Sequence, residues 1–78
     1  MKMATWRQLF RATSDQIGDN ERRIDRQRQF IAELAQDGQD TVLAEQELTV
    51  LMENNELLRE TRQRLLDKKP GAQQLLQA

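Results

Sequence analysis

The sequence predicts an all-α protein: an antiparallel, coiled-coil-like helical hairpin that dimerises into a four-helix bundle. Three observations carry this. One heptad register runs unbroken from Met3 to Leu34. A stop-and-start signal, Asp37-Gly38-Gln39-Asp40-Thr41, falls near the middle of the chain. The third is size: at 78 residues the chain makes one small domain, and chains this short bury only about 60% of their unfolded surface. Disulfides, a metal or a partner chain are the usual reinforcement. Cysteine and histidine are both absent, so a disulfide framework and zinc or iron–sulfur sites drop out. No loop has the Asp-rich spacing of a calcium site. Oligomerisation remains.

In the first helix, position a falls on Met3, Phe10, Ile17, Ile24 and Ile31, and position d on Trp6, Thr13, Asn20, Gln27 and Leu34. Two features predict an interruption. Thr13-Ser14-Asp15 offers capping side chains, and Gly18 costs about 1 kcal/mol relative to Ala inside a helix. The expectation is a kink, or two segments over residues 4–13 and 15–36. Residues 1–14 then form an amphipathic N-terminal segment ahead of a hairpin over 15–69.

Gly38 suits the residue just past a helix end, where a left-handed conformation is needed. Asp40 or Thr41 caps the next helix through its side-chain oxygen. The connection is about four residues, short enough to join antiparallel neighbours. The second helix is expected from Thr41 to Lys68 or Lys69, with a seam of Ala44, Leu48, Leu51, Asn55, Leu58, Arg62 and Leu65. A second apolar line, Leu43, Val50 and Leu57, lies about 100° further round. That face is wider than a two-stranded seam requires. Glu45, Glu47, Glu53 and Glu56 make its first half acidic, and Lys68-Lys69 complement the negative end of the dipole. Pro70-Gly71 stops the helix, and the tail over 72–78 is left as a turn or a disordered end.

Folding back about residues 38–40 brings Ile31 near Leu48, Gln27 near Leu51, Ile24 near Asn55 and Asn20 near Leu58. The last three layers each set an amide against an aliphatic residue, and an unpaired buried amide costs about 1–3 kcal/mol. Two readings stand. Asn20, Gln27 and Asn55 pair across a dimer axis and fix register, or they sit half solvated at the edge of the seam. The expected interface comprises Trp6, Phe10, Ile17, Asn20, Ile24, Gln27, Ile31, Leu48, Val50, Leu51, Asn55, Leu57 and Leu58.

Twelve basic and 13 acidic residues leave a net charge of −1, which argues against a dedicated nucleic-acid binder. Arg22, Arg23, Arg26 and Arg28 suggest a phosphate contact, but carboxylates at helix-neighbour spacing (Asp19, Asp25) make a solvated face the stronger reading. Met3, Trp6, Leu9 and Phe10 with Lys2, Arg7 and Arg11 suit a membrane surface, a docking patch for another protein, or a cover for the open end of the bundle. Continuity with the isoleucine seam favours the cover. No apolar stretch approaches the length of a membrane span, and the N-terminus lacks the features of a secretory signal, so the expected compartment is the cytoplasm. No catalytic residue, metal or cofactor is expected. The function expected is a non-enzymatic protein–protein interaction or oligomerisation module, with peripheral membrane binding and nucleic-acid binding as alternatives.

The stretch from Ile17 to Leu66 also carries a resemblance. Ile17, Glu21-Arg22-Arg23-Ile24, Arg26-Gln27-Arg28, Ile31, Leu34, Asp37-Gly38, Asp40-Thr41, Ala44-Glu45 and Leu48 follow a pattern that resembles a group of short, uncharacterised helical-hairpin proteins common in alphaproteobacteria. The joined Arg-Gln-Arg and Asp-Gly-x-Asp-Thr elements are its sharper part. Members of that group often carry histidines near the helix ends; this chain has none. The resemblance implies a helical hairpin in a bacterial cytoplasm and no assigned activity.

Overall fold

A computed structural model describes residues 1–71, and the expected C-terminal tail over 72–78 lies outside the described residues. Two helices, α1 (Met3–Gln36) and α2 (Val42–Asp67), pack antiparallel. Helix α1 is one unbroken helix of 34 residues, not the two segments that Thr13-Ser14-Asp15 and Gly18 suggested. The physical reason is local. The Thr13 hydroxyl turns back to donate to the Leu9 carbonyl at 2.8 Å, a bond made inside a helix rather than at its start. The register that spans the site keeps Trp6 and Ile17 on the buried face, and that packing outweighs a single glycine.

The connection is a Schellman turn. Gly38 has φ +70°; its N–H donates to the Ala35 carbonyl at 3.1 Å, and the Gln39 N–H to the Leu34 carbonyl at 2.9 Å. These two bonds satisfy carbonyls that the end of α1 would otherwise leave orphaned. The start of α2 takes its cap from Asp40, whose carboxylate accepts the Val42 N–H at 2.9 Å; the Thr41 side chain makes no cap bond. Helix α2 ends at Asp67, so Lys68 and Lys69 lie just past it rather than in its last turn. The Lys68 N–H reaches the Arg64 carbonyl at 3.1 Å.

The seam follows the heptads read from the sequence. Trp6, Ile17, Ile24, Ala44 and Asn55 are buried, with Phe10, Asn20, Gln27, Ile31, Leu34, Leu48, Leu51, Leu58 and Leu65 half-buried between them. Ile24 and Asn55 line one hollow between the helices, and Asn20 and Leu58 another. The open end is closed by Trp6, whose indole N–H donates to the Leu65 carbonyl at 2.6 Å. Phe10 stacks on Trp6 with centroids 4.9 Å apart, and the Lys69 ammonium lies 5.3 Å over the indole.

The result is a rod, 63 × 17 × 13 Å, with a radius of gyration of 18.0 Å. A compact domain of this length would have about 11.5 Å. Among the described residues no large side chain is fully buried. Two helices alone cannot enclose a side chain on all sides, so the hydrophobic contribution of this seam is small for its length.

Candidate interaction surface

The structure sorts the expected interface residues into three groups. Most are taken up inside the hairpin. Ile17 and Ile24 are buried; Ile31, Leu48, Leu51 and Leu58 are half-buried between the helices. Trp6 is 6% exposed and holds the open end shut, with Phe10 half-buried on it. The second group is the amides. Gln27 finds its partners within its own chain: its amide N–H donates to the Ala44 carbonyl at 2.9 Å and the Glu47 carboxylate at 3.2 Å. Glu47 lies about one turn and Ala44 about two turns nearer the connection than Leu51, the neighbour expected for Gln27. Gln27 therefore has partners without a second chain. Asn20 is half-buried. Asn55 is the exception: it is 5% exposed, and its side-chain carbonyl oxygen has no partner among the described residues.

The third group is on the outside. Val50 is 55% and Leu57 59% exposed, and Leu43, one heptad before Val50, is 76% exposed. Successive positions seven apart fall on one helical face, so these three form a single apolar line along α2. A shallow hollow of about 390 Å³ beside it is lined by Leu43, Gln46, Glu47, Val50 and Leu51. A line of aliphatic side chains at coiled-coil spacing, left in water, is the kind of patch that marks a contact surface.

The same side of the hairpin carries a row from α1. Gln27 bonds Glu47, which places its face of α1 beside the α2 line. On that face, at i and i+3 or i+4 spacing, stand Arg23 and Phe30, and Phe30 is half exposed. Sequence reasoning missed Phe30 because Ile31 next to it satisfied the seam; the available signal was an aromatic three heptads from Leu9, outside the a and d positions. Sequence reasoning also missed the Trp6–Leu65 bond, although both residues occupy equivalent seam positions.

Charge along the chain is arranged by helix. Residues 42–58 hold four glutamates and neither lysine nor arginine, whereas residues 22–28 hold four arginines and one aspartate. Within the chain these stretches hardly pair. The ion pairs among the described residues are Arg22 with Asp19 and Arg59 with Glu21. Opposite charges therefore stand on neighbouring helices without closing on each other.

Among the described residues no group of carboxylates is placed to hold a metal ion, and no helix is long and apolar enough to cross a membrane. The class of protein the fold defines is an antiparallel two-helix hairpin with one apolar line left outside its seam. No family model, curated protein or solved structure matches the chain.

Proposed function

We propose that this protein is a non-enzymatic interaction module, and that its hairpin works by associating with a second copy into a four-helix bundle. The observation that carries this is the line Leu43, Val50 and Leu57, aliphatic side chains at heptad spacing that stand in solvent at 76%, 55% and 59% exposure. Single exposed apolar residues are ordinary; three on one face of one helix are not. The thin seam works in the same direction, since a rod with no fully buried large side chain among its described residues gains most from covering a further face.

The expected contact surface moves with this reading. Trp6 and Phe10 serve the hairpin's own closure, which favours the cover for the open end over a membrane anchor or a docking patch. Val50 and Leu57 become the centre of the interface, joined by Leu43 and Phe30. The reading carries with it a bacterial cytoplasmic setting, which rests on the resemblance described above. Sedimentation equilibrium of the full chain from about 1 to 100 μM is the test. A concentration-dependent dimer is expected, and a folded monomer across that range contradicts the proposal.

A further inference from the structure

We propose that two copies meet α2 on α2, antiparallel, about a two-fold axis at Val50, so that the outer line of each copy packs on the same line of the other. This inference rests on the association proposed above and adds its geometry and its recognition chemistry.

The exposed face of α2 reads the same in either direction from Val50. Leucines stand seven residues before and after it (Leu43, Leu57), amides four before and after (Gln46, Asn54), and glutamates three before and after (Glu47, Glu53). All seven residues are exposed. A two-fold axis perpendicular to a helix reverses its direction. A contact about Val50 therefore sets each residue level with its counterpart at equal distance on the far side of Val50. A face that is a palindrome in residue type matches itself under that operation, as an isologous interface demands. An unrelated partner places no such demand on it.

Helix geometry then fixes which side chains meet. At about 100° per residue, Leu43, Val50 and Leu57 make the central line, Gln46 and Glu53 flank it on one side, and Glu47 and Asn54 on the other. The two-fold sets each flanking line against its own copy, reversed. Leu43 packs on Leu57 of the second copy, and Val50 on Val50. Gln46 meets Glu53 of the second copy and Glu47 meets Asn54, and the symmetry makes each contact twice. Each pairing offers an amide N–H donor to a carboxylate acceptor, a charge-assisted hydrogen bond, and no two glutamates face each other. Glu47 already accepts the Gln27 amide N–H through Oε2, which leaves Oε1 for Asn54. That bond also places α1 on the Glu47–Asn54 side of the line. The two-fold keeps both α1 helices on that side, and the four helices form two layers.

The rival pairs the same lines in parallel. It too sets amides against glutamates, but the heptad line runs on from Leu57 to the exposed Arg64, and a parallel pair lays Arg64 on Arg64 within the contact. The antiparallel pair overlaps over residues 42–58, about 24 Å of helix, and carries Arg64 past the start of the other copy's α2 at Val42. It also opposes the two helix dipoles.

Disulfide trapping tests the arrangement in a chain that has no cysteine of its own. Facing helices about 8–10 Å apart hold opposed Cα atoms within disulfide reach. Leu43→Cys and Leu57→Cys, at exposed positions outside the seam, are mixed in equal amounts in a glutathione redox buffer. The second carries a short affinity tag, so that a gel resolves the mixed dimer. The mixed dimer is expected in several-fold excess over either same-variant dimer. Same-variant dimers in excess, a statistical mixture, or no crosslink beside a dimeric wild type overturns the arrangement and leaves the association standing. Gln46→Glu sets glutamate against Glu53 and is expected to weaken the dimer about tenfold in sedimentation equilibrium at physiological salt; an unchanged dimer overturns the flanking contacts. A monomeric wild type overturns both the arrangement and the association.

Discussion

Asn55 occupies a seam position that elsewhere in α2 holds leucine, and its buried carbonyl oxygen accepts no hydrogen bond among the described residues. An unpaired buried polar group costs about 1–3 kcal/mol. Asn55→Leu removes that cost and adds apolar contact with Ile24, so it should raise the urea midpoint with the slope unchanged. Gln27 is the opposite case. Its amide bridges α1 to the Ala44 carbonyl and Glu47, so Gln27→Ala should lower stability by about 1 kcal/mol. Trp6 combines 6% exposure with a bond to the Leu65 carbonyl. Trp6→Phe keeps most of the packing and loses the donor, for about 1 kcal/mol, whereas Trp6→Ala should cost about 3–5 kcal/mol. Thermal unfolding of the two variants side by side separates the hydrogen bond from the packing.

At the scale of the helices, the two glycines near the seam behave oppositely on substitution. Gly18 lies inside α1, and a Cβ there meets nothing closer than the Arg22 guanidinium at 3.7 Å. Gly18→Ala should therefore stabilise by about 0.5–1 kcal/mol. Gly38 has open space around it but φ +70°, so Gly38→Ala should destabilise by about 1–2 kcal/mol. Both helices, their seams and the turn were legible in the sequence, because heptad spacing and an Asp-Gly stop followed by Asp-Thr are local signals. The continuity of α1 was not. Thr13 and Gly18 read locally as a break, yet the Thr13 hydroxyl bonds back to Leu9 inside the helix, and Trp6 and Ile17 on either side stay on one buried face. The fate of Gln27 was illegible for a related reason: a heptad assigns a face, and the choice between a solvent rim, another chain and the Ala44 carbonyl depends on side-chain reach across the seam. The outer line on α2 was visible as a surplus of apolar face, whereas Phe30 on α1 was hidden by Ile31 beside it.

For the whole molecule, the rod's thinness makes its stability depend on what covers its exposed face. Binding that favours the folded state raises the unfolding midpoint with concentration, so the thermal midpoint of this chain should climb as it is concentrated from about 1 to 100 μM. Salt screens exposed charges, and the proposed dimer, which brings two acidic stretches of α2 together, should tighten in added potassium chloride while its helix content persists. Val50 stands on the outer face of α2, 55% exposed, so Val50→Asp leaves the hairpin's own seam untouched and sets an unpaired charge at the centre of the proposed interface. Sedimentation equilibrium of wild type beside Val50→Asp is the most direct measurement. A wild type approaching twice the 9.2 kDa chain mass, with the variant at the mass of a single folded chain, is the result predicted. A wild type that stays folded and monomeric throughout, or a variant that dimerises as tightly as wild type, contradicts it.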